Sequence, residues 1–195
     1  MTRRIGAERR VGLDWRIIAL VGAVVVAIGV VGVALLISGP NQWRGTFQRD
    51  EGRRHVAVGT FPTYQSVPPT SGNHWSSPSP QCPAPWGVYS TPVQEPCVVH
   101  NLEHGGIVIW YQQGKLSDDQ VQQLANFVRT QVSTPQFKFI LTPYSGKDFG
   151  HPIAVTAWDW LLYLDDVNTD AIRSFANEHY ERSPEPNGGP AAPAG

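Results

Sequence analysis

A chain of 195 residues with a net charge of −1 has room for one domain and an anchor, because domains usually run to roughly 100–200 residues. The charge is unevenly spread: residues 1–16 carry five arginines against Glu8 and Asp14, a balance of +3 that leaves −4 for the rest. That acidic remainder holds no basic stripe, which argues against nucleic acid as a partner. The 19 Gly and 17 Pro, many within residues 59–97, argue against a plain helical bundle.

The first predicted element is the uncharged run from Ile17 to Ile37, IIALVGAVVVAIGVVGVALLI. At about 1.5 Å per residue it spans roughly 30 Å as a helix, the thickness of a hydrocarbon core. In lipid the backbone must satisfy its own hydrogen bonds, which a helix does. Trp15 and Trp43 stand at the two interfaces, and the arginines of the preceding residues orient the N-terminus inward. The expectation is a single-pass anchor in the bilayer of the cell membrane, with residues 1–16 as a cytoplasmic basic tail and the remainder outside. A cleaved signal peptide would have a shorter apolar region, about 7–15 residues, and a small-residue cleavage site. Leu36-Ile37-Ser38-Gly39-Pro40 is a poor one. Ala19, Ala23 and Ala27 form a small-residue row of the kind that packs a second helix.

Residues 38–58 read as a juxtamembrane segment with clustered charge at Arg49-Asp50-Glu51 and Arg53-Arg54. Residues 59–97 then form a long irregular Pro/Gly-rich loop, and its aromatics, among them Phe61, Tyr64, Trp75, Trp86 and Tyr89, argue for order. Cys82 and Cys97 flank the Pro-rich segment of this loop. In an oxidising compartment they suit a disulfide closing about 15 residues, with roughly 3 kcal/mol of stabilisation. The alternative is a pair of soft metal ligands, although the CxxC spacing is absent.

Regular periodicity begins at Gly106–Tyr111, an apolar run with β-branched residues that reads as a buried strand. Ser117–Gln131 reads as a helix with Ser117 as N-cap, Gln120 completing a capping box, and Val121, Leu124, Ala125 and Val128 on one face. Phe137–Leu141 and Ile153–Trp158 read as strands, and Thr169–Tyr180 as a second amphipathic helix with Ile172, Phe175 and Ala176 inward. The tail, residues 183–195, is too poor in apolar residues to order itself. The fold class is therefore α/β (α+β): a transmembrane helix, then an outer globular domain over residues 59–182. A two-layer sandwich with both helices on one sheet face is the economical arrangement, and its strand–helix–strand unit favours a parallel crossover.

Six histidines are present. His100 and His104 bracket Glu103 in VVHNLEHGGIVIWY, and the long loop carries His74 in PPTSGNHW. A turn at Gly105-Gly106 would bring the two imidazoles of His100 and His104 together at the sheet edge, with His74 delivered by the loop. Three imidazoles suit a transition metal, with zinc or copper the most concrete choice and His55 as candidate fourth ligand. Two other readings stay open: a polar network that pins the loop on the sheet, and metal-free acid/base work. His100-Asn101-Leu102-Glu103-His104 also fits H-x-x-E-H, an inverted zinc-protease motif, but that motif needs a helix, and the glycines and β-branched residues on either side predict none of useful length. His55 is also placed to pair with Asp50 or Glu51, His151 precedes Pro152 in a loop, and His179 lies near a helix C-terminus, where a cation is favoured.

Gly59–Trp75 (GTFPTYQSVPPTSGNHW), the Trp86-Gly87-Val88-Tyr89 turn, VVHNLEHGGIVIWY and the later Thr156-Ala157-Trp158 together resemble domain-of-unknown-function family 3105. The resemblance covers most of residues 55–180 and implies an N-terminal membrane helix with a single outer domain. It directs attention to His74, His100, Glu103 and His104, and it implies no activity. Where many members continue with Gly and Arg, this chain has Asp159-Trp160, and the cysteine pair is a feature of only some members. Three functions remain in view. One is a membrane-anchored metal-binding domain. The second is an envelope metal-dependent hydrolase with Glu103 as general base. The third is a structural or assembly partner of a membrane complex, with its protein partners unidentified.

Overall fold

The computed structural model describes residues 44–76 and 82–193. The expected membrane helix, residues 17–37, lies outside the described residues, and among the described ones no helix is long and apolar enough to cross a membrane.

The domain is built on a six-stranded mixed sheet. Its strands are β1 (Thr46–Phe47), β4 (Gly87–Val88), β5 (Ile107–Gln112), β6 (Phe139–Tyr144), β7 (Ile153–Ala157) and β8 (Trp160–Leu164), in the order β1-β8-β7-β5-β6-β4. A separate parallel pair joins β2 (His55–Val56) to β3 (His74–Trp75). Three helices are seen among the described residues: α1 (Glu95–Glu103), α2 (Asp118–Val132) and α3 (Thr169–His179). The crossover β5-α2-β6 yields a parallel pair, as predicted. The capping box at Ser117 and Gln120 is present in full.

Alternation along the strands divides the interior in two. On β5, Ile107, Ile109 and Tyr111 face a cluster filled by Leu124 and Val128 of α2 and by Ile172 and Phe175 of α3. Val108 and Trp110 face the other side, against Trp75, Trp86, Val98 and Leu102. The two amphipathic helices thus share one face, as expected. The other face is not open to solvent: α1 and the loops around it cover it, giving a third layer. This corrects the two-layer expectation, and the cause lies in β5 and β6, which are buried on both faces and read as continuous apolar runs.

Three boundaries also differ from the sequence reading. Residues 44–58 are part of the domain, since β1 pairs with β8 and β2 with β3. Strand β8, which the periodicity left unassigned, follows β7 through a two-residue turn at Trp158-Asp159. The segment from Ser183 is not loose: Glu185 N donates to Glu103 O at 3.0 Å, and Trp86 Nε1 donates to Pro190 O at 2.9 Å. Apolar content was a poor guide there because this segment is held by polar contacts with its backbone.

Asp159 occupies that turn at φ 63°, a region open to Asp and Asn. Its Oδ1 is buried without a hydrogen bond. Burial, aided by the Asp50 and Glu51 charges and opposed by the Ser71 hydroxyl, moves its pKa from 3.8 to about 6. The folded state therefore binds more protons than the unfolded chain between those values, and stability falls as pH rises through that window. Asp159→Asn keeps the backbone conformation and removes the charge. The variant is expected to melt a few °C above wild type at pH 7.5, with the gain gone near pH 3.5. Scanning calorimetry at the two pH values tests this, and an equal shift at both would reject the assignment.

Candidate metal centre

The site begins with α1. Its first turn carries Pro96, whose fixed φ suits a helix start. Cys97 is bridged to Cys82 across a separation of 15 residues. Asn101 adds a second clasp, accepting from Ala84 N at 2.9 Å and donating to Ala84 O at 2.8 Å. Residues Pro96 to Glu103 are all buried. The sequence argument against a helix at His100–His104 is thereby overturned. Val98, Val99 and Leu102 are wholly buried, and packing outweighs the β-branched residues' weak helix propensity. The glycines come after the helix and end it: Gly105, at φ +80°, lies so close to Glu181 that a Cβ would stand 2.6 Å from its Cα.

His100 and Glu103 are three residues apart on α1, so they share a face. Opposite them, the register of β2 and β3 sets His55 beside His74. One ligating atom from each of His55, His74, His100 and Glu103 lies within 4.8 Å of all the others. His55 Nε2 is 3.3 Å from His100 Nε2, and Glu103 Oε2 is 2.9 Å from His74 Nε2 and 3.8 Å from His55 Nε2. Tetrahedral ligands at about 2.0–2.1 Å from an ion stand roughly 3.3 Å apart, so these spacings bracket the required edge length. His74 and Glu103 are buried, while the His55 side chain is 44% exposed.

Proton positions sharpen the picture. His74 Nδ1 faces the Gly72 carbonyl at 2.9 Å. A carbonyl only accepts, so Nδ1 carries the hydrogen, and a neutral ring presents a lone pair at Nε2. Burial, with the His55 charge in support, lowers the His74 pKa against the Gly72 hydrogen bond and the Glu185 charge. Burial and then the His74, His104 and His55 rings bring His100 down to about 3, opposed by the Trp75 backbone. Burial raises Glu103, the Glu185 charge adding to this while His55, His104 and Arg53 oppose it. His74 Nε2, His100 Nδ1 and Glu103 Oε2 have no hydrogen-bond partner of regular geometry, three of five such buried side-chain atoms among the described residues. A network that served only to pin the loop would satisfy its members. Here His74 Nε2 and Glu103 Oε2 face each other 2.9 Å apart, and His100 turns its Nε2 toward His55.

His104 does not join that quartet. It caps α1, its ring 4.8 Å from that of His100 between centroids, and it belongs with Glu103 and Glu185 in a second group. The inverted protease motif thus has its helical turn, but its two histidines go to different groups. His55 joins the first group, while Asp50 and Glu51 accept from the backbone of Gly52, Gln65 and Ser66. His151 pairs with Asp165 at the surface, and His179 contacts the Arg44 carbonyl.

Sequence reasoning missed Glu185 and Lys138. Lys138 is buried, donates to His104 O and Pro186 O, and pairs with Glu181. It thereby ties the end of α1 to the strap formed by residues 183–190. The signal for the strap was the Gly188-Gly189 pair. A Cβ on Gly188 would stand 2.2 Å from His104 Nδ1, so only glycine lets this backbone lie on the ring.

Residues 55–192 match the family described as Protein of unknown function (DUF3105). The chain belongs to that family. No curated protein and no solved structure matches it.

The close approach at Gly188 gives a direct test. Gly188→Val is expected to lift the strap from His104, costing about 1–3 kcal/mol. Amide exchange at residues 183–190 would rise while that of β5 and β6 stayed slow. Unchanged protection of the strap would contradict the packing described.

Proposed function

We propose that this chain is a membrane-anchored, extracytoplasmic binding protein for a divalent transition metal, held by His55, His74, His100 and Glu103. The observation that carries the reading is the convergence of unpaired lone pairs from His74 and Glu103 at a buried point. The charge asymmetry around residues 17–37 and the Cys82–Cys97 bridge support a location outside the membrane.

Ligand chemistry favours zinc(II) or copper(II). Three imidazoles and a carboxylate suit both, and the two cysteines, being bridged to each other, offer no thiolate to copper(I). The ligand number speaks to the task. Four protein ligands close a tetrahedral site, the pattern of sites that hold a metal, whereas catalytic zinc keeps an open position. With Glu103 used as a ligand, it is also unavailable as a general base. Both points favour metal binding over hydrolysis. The exposed His55 is the ligand through which an ion enters and leaves.

Without metal, the pair Glu103 and His74 holds one proton, and metal uptake displaces it. The full chain, reconstituted with zinc(II), is expected to take up an ion and release about one proton as it does so. That release is measured as the buffer dependence of the calorimetric heat near pH 7. Loading at 100 times the dissociation constant adds about 2.7 kcal/mol of stability. His74→Ala/His100→Ala abolishes both the uptake and the thermal shift, and circular dichroism checks that the variant folds. Wild-type protein that stays metal-free after reconstitution with zinc(II) and copper(II) sinks the reading.

A further inference from the structure

The quartet leaves unexplained why the chain's C-terminal strap is fixed so closely against α1. We infer that the strap supplies Glu185 to a second divalent-cation position beside the first, formed with His104 and bridged to it by the Glu103 carboxylate. This rests on the metal-binding reading and extends it from one ion to two.

Glu103 is the residue common to both ligand groups, each of which has its ligating atoms within 4.8 Å of one another. It is buried to 1% exposure and carries an oxygen without a hydrogen bond. A carboxylate in that place has two oxygens to offer, and carboxylate-bridged ion pairs stand about 3.5–4 Å apart. The exposed Glu185 brings a second carboxylate to the same region, with a ligating oxygen within 4.8 Å of those of Glu103 and His104.

The strap's placement does not depend on the Glu185 side chain. Its backbone N–H donates to Glu103 O at 3.0 Å, and its carbonyl accepts from His104 Nδ1 at 3.1 Å. Lys138 holds Pro186 O, and Gly188 N donates back to Glu185 O at 3.0 Å. Backbone contacts thus fix the position, leaving the carboxylate free to bind. With Nδ1 of His104 donating to a carbonyl, a neutral ring keeps its Nε2 lone pair for an ion. One imidazole with two carboxylates is a harder donor set than the quartet, suited to zinc(II) or manganese(II).

The same backbone contacts make Glu185→Gln a clean probe, since the substitution removes charge and leaves the strap's anchors in place. Tag-free full chain is titrated with zinc(II) against a chromophoric competitor. Two equivalents per chain in wild type, falling to one in Glu185→Gln with the remaining one at unchanged affinity, is the expected result. One equivalent in both proteins overturns the second position and leaves the quartet standing. Two equivalents in both overturns the role of Glu185, and none in either overturns the quartet as well.

Discussion

The structure turns on one electrostatic constraint: a carboxylate oxygen and an imidazole nitrogen, both withdrawn from water, face each other at contact distance. Glu103 Oε2 and His74 Nε2 are 2.9 Å apart, and the ring's only hydrogen is committed to Gly72. An uncompensated buried charge costs several kcal/mol. A proton shared by the pair, or the metal ion of the proposed site, removes that cost. Two further imidazole nitrogens, His55 Nε2 and His100 Nε2, stand 3.3 Å apart beside this pair, and they complete the ligand set of the proposed metal site.

The fold holds this constraint in place by burying the helix that bears it. α1 packs Val98, Val99 and Leu102 against the sheet, so its polar residues cannot turn to solvent without unpacking the whole layer. Its start is tied by Cys97 and its middle by Asn101. Its end is closed by backbone bonds from His104, Gly105 and Gly106, with the Lys138 ammonium on the last carbonyl. A cation there also suits the negative end of the helix. The opposing histidines come from a short parallel pair, in which register alone puts His55 beside His74. A one-residue slip would turn His74 away from the helix.

Much of the sheet was legible because periodicity reports directly on burial. The capping box of α2, the inward face of α3 and the strands at Ile107 and Ile153 all lay where the pattern placed them. Of the site, His100 and Glu103 were recognisable by residue type and proximity in the chain, and His74 by its place on the long loop. Their partition was not. Whether His104 or His55 completes the set depends on a helix at residues 95–103 that β-branched residues and a trailing Gly-Gly seemed to forbid, and on the pairing of two-residue strands that carry no periodic signal. The C-terminal strap failed for a related reason. Apolar content predicts order that arises from hydrophobic burial, and this segment is ordered by carbonyls that Lys138, Trp86 and His104 seek out.

The uneven exposure of the ligands bears on how such a site is used. A metal buried behind four equally rigid ligands exchanges only when the domain opens, which suits a purely structural ion. Here His74, His100 and Glu103 sit in packed layers, while His55 lies on a two-residue strand at the surface with its side chain 44% exposed. In the proposed site, rotation of that one side chain would open a coordination position without disturbing α1. The remaining three ligands of that proposed site would still hold the ion, so transfer to an incoming ligand would proceed by substitution at a single point. The strap lies on His104, outside the quartet. In the proposed site, one mobile ligand and three fixed ones would fit reversible handling of a metal better than permanent storage, with exchange at His55.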